Sequence, residues 1–201
     1  MTQLTRISPA MRGARPTASV LVVDDSRTGL NAMGERLSQA GYAVVLCDRG
    51  ADALDLIAGC RFDLLLLDVV MPEMSGLQVL AELRASTETV DLPVMIVTAY
   101  TDPAIARQAM AIGADDVATV PIDFEMLTTR MERLLHRAAR LNELKRANAA
   151  LDARIADRAI ELGEARDRLA AVRGDRDRLA ASLEALNRHV QTLTARTSGD
   201  E

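Results

Sequence analysis

From Ser19 the chain alternates short apolar runs with stretches whose apolar positions recur three and four apart. SVLVVDD (19–25), AVVLCD (43–48), FDLLLLD (62–68), LPVMIVTA (92–99) and DDVATV (115–120) read as strands, because each run is too short for a buried helix. Helical stretches separate them: Arg27 to Ala40, stopped by Gly41; 51–59, ending at Gly59; a helix after Ser75, which can cap it; and 103–112, ending at Gly113. Everything from Asp123 onward reads as helix. Five strands alternating with helices predict an α/β fold, a five-stranded parallel sheet doubly wound by its helices. In such sheets ligands bind at the carboxyl ends of the strands, near a switch in strand order.

A different period takes over at Leu141. Through Leu193 the spacing is 3,4 without a skip, and the a/d series is apolar except at Asn148, Arg158 and Arg176. A sustained 3.5-residue repeat predicts a long coiled-coil helix over 137–195, about 80 Å for residues 141–193. Asn148 at an a position would pair with its mate in a parallel two-stranded coil and fix register. Flanking charges give that arrangement mixed support: Glu161 would attract Arg166, while Arg168 would repel Arg173. Gly163 and Gly174, with the two seam arginines, weaken the middle. The opposing reading is a lone, partly frayed helix. An apolar seam this long on a soluble chain calls for a partner, a second copy or another helix.

The stretch LLLLDVVMPEMSG (64–76) carries the chemical question. A fully apolar strand ends on a carboxylate, Asp68, and burying an unpaired carboxylate costs several kcal/mol, roughly. Two other strands also end in polar groups, Asp24 and Asp25 after the first and Thr98 after the fourth. Three carboxylates converging on one crevice repel each other unless a cation neutralises them. Oxygen-only donors suit a hard divalent ion, Mg²⁺ above all. A metal-held aspartate beside a hydroxyl can accept a phosphoryl group, since the metal neutralises phosphate charge and the carboxylate forms an acyl phosphate.

Together VLVVDDS, LLLLDVVMPEMSG, PVMIVTA and GADDVATVPID, in this order and spacing, resemble the receiver domains of bacterial two-component response regulators, a CheY-like, flavodoxin-like fold, over residues 19–136. The resemblance implies that Asp68 is the phosphoacceptor. It implies that Asp24, Asp25 and Asp68 hold Mg²⁺ with the backbone carbonyl of Val70, that Thr98 bonds a phosphoryl oxygen, and that small Ala99 leaves room for it. It also implies a histidine kinase or phosphotransfer protein as partner. LDARIADRAIELGEARDRL (151–169) is similar to the signalling helices that join receivers or sensors to kinase or cyclic-di-GMP modules.

Two positions depart from the family pattern. Receivers place a lysine just before the final proline, where this chain has Val120, and an aromatic where it has Val117. The single lysine, Lys145, falls in the coiled-coil stretch, and Arg27 is either a substitute cation or a solvated residue of its helix. These departures keep a second reading open, a phosphorylation-independent scaffold acting through protein contacts. A phosphatase using Asp68 as nucleophile is the weakest reading, because the acid such enzymes place two residues on is here Val70. A non-enzymatic signalling protein is expected.

Charge and composition narrow the class further. The net charge is −5, but residues 19–125 hold 17 acids against 6 arginines, and 141–193 are almost neutral with 9 acids and 10 bases. No segment offers the basic surface of a nucleic-acid binder. Residues 1–18, with three arginines and breaks at Pro9, Gly13 and Pro16, read as a disordered arm, and 196–201 as a polar tail. No apolar run approaches the ~20 residues of a membrane span, and residues 1–18 lack a signal-peptide core. Cys47 and Cys60 are too few for a disulfide framework, so a reducing, cytoplasmic setting is the default.

Overall fold

The computed structural model describes the backbone of residues 6–7, 18–99, 103–121 and 123–197, and side chains within 18–188. In chain order the elements are β1 (Arg6–Ile7), β2 (Ser19–Val23), α1 (Arg27–Gln39), β3 (Ala43–Cys47), α2 (Gly50–Gly59), β4 (Leu64–Leu67), α3 (Gly76–Ala85), β5 (Val94–Thr98), α4 (Pro103–Ile112), β6 (Asp116–Thr119) and α5 (Phe124–Thr197).

The sheet runs β1-β3-β2-β4-β5-β6, with β2 to β6 all parallel. Its parallel part is the expected five-stranded doubly wound sheet. Alternate residues of each strand face opposite layers, and both layers are apolar. Leu21, Val23, Leu65, Leu67 and Ile96 pack with Ala53, Val79, Leu80 and Ala109, under α2, α3 and α4. Val20, Val22, Leu64, Leu66 and Met95 pack with Leu30, Leu37, Leu127 and Met131, from α1 and α5. Because β2 neighbours β4 in register Val23↔Leu67, the switch in strand order lies between them. The loops carrying Asp24, Asp25 and Asp68 leave from this point.

The strands are shorter than the apolar runs. Asp24 and Asp25 lie beyond β2, and Asp68 lies beyond β4. At the other end, Pro93 has no N–H for the ladder, and β5 starts after it. Asp63 is held outside β4, its backbone N–H donating to Ser19 O at 2.8 Å and its carboxylate accepting from Ser19 N at 2.8 Å.

One element departs from expectation. Arg6–Ile7, in the segment read as a disordered arm, pairs antiparallel with β3 (Arg6↔Val45, Ile7↔Val44) as a sixth, edge strand. The rest of that arm up to residue 17, and the tail from residue 198, lie outside the described residues.

The chain divides into two units after Glu143. In the first, α5 starts on Asp123, whose carboxylate accepts from the Glu125 N–H at 2.8 Å. Its buried face is Leu127, Met131 and Leu134. In the second, every described side chain from Leu144 to Arg188 is exposed. Among the described residues, no helix is long and apolar enough to cross a membrane.

Candidate functional site

Backbone bonds fix the two acidic loops to the sheet. The N–H of Asp68 donates to Val23 O at 2.9 Å, and that of Asp24 to Cys47 O at 3.2 Å. Beyond these anchors the chain turns sharply. Ser26 caps α1 through its hydroxyl, accepting from the Gly29 N–H at 3.4 Å, while its own N–H donates to Asp24 Oδ1 at 2.7 Å. The loop after Asp68 closes where the Gly76 N–H meets Val69 O at 2.9 Å, and Ser75 with Gln78 forms a capping box on α3.

Folded this way, Asp24, Asp25 and Asp68 each offer a carboxylate oxygen, all within 4.8 Å of one another. Asp24 and Asp68 are partly buried, and Asp25 is exposed. Burial pushes the Asp68 carboxyl up to about 6; the charges of Asp24 and Asp25 add to this, against backbone N–H donors from Val69 and Val70. Asp24 is raised as well, by burial first and then by Asp25, with the Ser26 N–H opposing. An acidic cluster destabilised in its charged form favours a cation. Three hard oxygen donors fit Mg²⁺, and the three carboxylates expected to hold it do meet; the Val70 N–H donates to Asp68 Oδ2 at 3.1 Å beside them.

Thr98 ends β5, next to β4, and is 1% exposed, the sole polar residue in the buried set among the described residues. Ala99 follows it and is exposed. Across the next ladder the Val120 N–H donates to Thr98 O at 2.9 Å, so the position that departs from the family pattern adjoins the hydroxyl strand, with its side chain 44% exposed. Val117 packs against the core under α2, α3 and α4. Arg27 is engaged with Asp48 at 3.5 Å, and Lys145 belongs to the second unit.

Residues 20–132 match the response regulator receiver domain family. The chain belongs to that family. The receiver is 40% identical over 120 residues to response regulator MprA of Mycobacterium sp. (strain KMS), covering 60% of this chain and 51% of that protein. Response regulator MprA of Mycobacterium avium (strain 104) is 41% identical over 118 residues, 59% of this chain and 51% of that one. The chain thus spans about half the length of the curated relatives it matches. Among solved structures, it is similar to the signal receiver domain of a signal transduction histidine kinase from Syntrophus aciditrophicus (TM-score 0.57, 30% identity, 60% of this chain and 91% of that one). It is also similar to the response regulator TrrA from Thermotoga maritima in complex with Mg²⁺ and BeF (TM-score 0.54, 29% identity, 59% and 99%). The receiver domain is thus a module of two-component signalling.

Two features of the receiver's site were not read from the sequence. Arg49, after β3, pairs with Glu73 in the loop after Asp68, and Glu73 has φ 65°. This pair joins two loops far apart in sequence, so no local spacing announces it. The second is the closeness of Gly76, the first residue of α3, to Asp68; the glycine is plain in the sequence, but what it makes room for is not.

Proposed function

We propose that this chain is a phosphorylatable response regulator whose Asp68 takes a phosphoryl group from a phosphohistidine on a kinase or phosphotransfer protein. A carboxylate oxygen of Asp68 bonds to phosphorus as the phosphorus–nitrogen bond of the donor breaks, and the departing imidazole keeps that electron pair and takes up a proton. Asp24, Asp25 and Asp68, with the Val70 carbonyl, would hold Mg²⁺, which supplies charge neutralisation at the phosphate. Thr98 orients a phosphoryl oxygen, and Ala99 leaves space. The observation that carries this reading is the convergence of three carboxylate oxygens within 4.8 Å at the switch point of the sheet. Output passes through residues 141–193, as a homodimeric coiled coil or with a partner helix. The chain acts as a signalling protein, without an enzymatic activity of its own and without binding nucleic acid, and in the cytoplasm.

The test is incubation with Mg²⁺ and a small phosphodonor, following acyl phosphate and oligomeric state together. Labelling should require Asp68 and Mg²⁺. Equal labelling of wild type and Asp68→Asn would overturn the site.

A second reading has its own support. Val120 supplies no ammonium beside Thr98, and Val117 is an aliphatic residue packed in the core rather than a mobile aromatic. A scaffold that keeps the receiver as a contact surface, independent of phosphorylation, needs neither. The same experiment separates the two, since a scaffold is indifferent to the phosphodonor.

A further inference from the structure

From Leu144 to Leu186 the apolar stripe of α5 is open, with Leu144 61%, Leu162 54% and Leu179 68% exposed. Resting on the reading that a second copy covers this stripe, we infer that the two copies pair antiparallel, with Leu162 level with the partner's Ala165. The residues that flank and interrupt the seam set the orientation.

In a parallel pair every seam residue faces its own copy. Arg158 and Arg176 would each meet an identical guanidinium across the interface. On the flanks Arg168 would lie against the partner's Arg173, and a single attraction, Glu161 to the partner's Arg166, would remain. Reversing one helix changes all of this, because a positions then face d positions and the flanks pair e with e and g with g. In the proposed register Glu161 lies beside the partner's Arg168, Arg154 beside the partner's Asp175, and Asp152 beside the partner's Arg173. Two-fold symmetry repeats each contact, and between Leu141 and Leu186 no like charges meet on the flanks. Sliding the pair by one heptad in one direction sets Arg168 against its own copy. In the other direction Glu161 meets its own copy. The charge pattern therefore selects one register as well as one orientation.

The interruptions fit the same register. Arg158 faces the partner's Leu169, and Arg176 the partner's Leu151. Both guanidiniums already have carboxylate partners on their own helix, Arg158 with Glu161 at 2.7 Å and Arg176 with Asp177 at 2.6 Å. Their charged ends can stay at the edge while the aliphatic stems cover the opposing leucine. Glu161 can accept from Arg158 and from the partner's Arg168 together. The cost falls on Asn148, which faces the partner's Leu179 and gives up the self-pairing that a parallel coil would offer it.

Disulfide trapping in the full chain tests the orientation, with exposed Cys60 changed to Ser and buried Cys47 retained. In the inferred pair, position 148 is level with position 179 of the partner, and the two copies of residue 148 are ~45 Å apart. Asn148→Cys combined with Leu179→Cys should give a covalent dimer on mild oxidation, and Asn148→Cys alone should not. Ready crosslinking of Asn148→Cys alone would overturn the antiparallel orientation while leaving the dimer intact. A dimer trapped by neither variant would overturn the register. A monomer in light scattering would remove the homodimer itself. Arg168→Glu adds a readout of opposite sign: it should loosen an antiparallel dimer severalfold, whereas tightening would show the parallel arrangement, where it replaces a repulsion with an attraction.

Discussion

A Cβ placed on Gly76 would lie 1.9 Å from the carbonyl oxygen of Asp68 and 3.1 Å from the Leu67 side chain. The start of α3 is therefore pressed against the backbone of the residue that would be phosphorylated. The loop between them closes through the Gly76 N–H to Val69 O bond, so its path is fixed at both ends. Only a residue without a side chain lets the helix dock this near the end of β4.

Gly76→Ala should accordingly destabilise the receiver by about 3 kcal/mol, the scale of overpacking a tight core contact, and displace Asp68 from its neighbours. Urea unfolding measures the first effect and Mg²⁺ titration the second. Gly59→Ala, where a Cβ meets nothing within 4 Å, is the control and should leave stability nearly unchanged. Equal stability of both variants would mean that the close approach is not maintained in solution.

Mg²⁺ should stabilise the receiver, and the effect should depend on pH. The Asp68 carboxyl sits at about 6 in the folded protein, above its ordinary 3.8, because burial and the neighbouring acids disfavour its charge. Its contribution to metal-free stability is full below the unfolded value and is lost as pH rises through the folded one. Mg²⁺ binds the deprotonated form, so its gain in Tm should be larger at about pH 7.5 than at about pH 5. Asp68→Asn should flatten this dependence and raise the metal-free Tm at neutral pH. Asp25→Asn should weaken the metal response. Thermal scans at both pH values, with and without Mg²⁺, check it; a Tm indifferent to Mg²⁺ at neutral pH would remove the metal site.

Val120→Lys should place an ammonium where the family has one. The position is 44% exposed, and its backbone is tied to Thr98 O, so the substitution should cost little stability. A charge-assisted hydrogen bond contributes about 1.5–3 kcal/mol, so beryllium fluoride with Mg²⁺ should bind at least tenfold more tightly. Unchanged affinity would mean that another cation already fills the role. Arg27, tied to Asp48 at 3.5 Å, is then the residue to remove next.

The receiver was legible because its signals are local or strongly patterned. A run such as Leu64–Leu67, buried on both faces and too short for a buried helix, reads as an interior strand, and Gly41, Gly59 and Gly113 mark helix ends by their chemistry. Asp24, Asp25 and Asp68 stood out because carboxylates interrupt apolar runs at strand ends. What escaped depends on contacts between distant segments or on backbone alone. Arg6–Ile7 joins the sheet through main-chain bonds, and two residues in a segment broken by Pro and Gly carry no period. The Arg49 and Glu73 pair bridges two loops, and the limit on residue 76 comes from a carbonyl eight residues away.

The long helix, rather than the receiver, should set the oligomeric state. The receiver's strands are apolar on both faces and its own helices cover them. The described side chains of α5 from residue 144 onward remain exposed, and pairing two helices would remove two apolar stripes from water at once. A chain ending at Arg140 keeps the buried residues Leu127, Met131 and Leu134 and should be a folded monomer. The full chain should be a dimer under the same conditions. Leu162→Asp should return it to monomer without changing the receiver's unfolding transition, because residue 162 is exposed and belongs to the second unit. Light scattering and circular dichroism on the three proteins decide it. A dimeric chain ending at Arg140 would move the interface into the receiver, and a monomeric full chain at micromolar concentration would point to a partner helix from another protein.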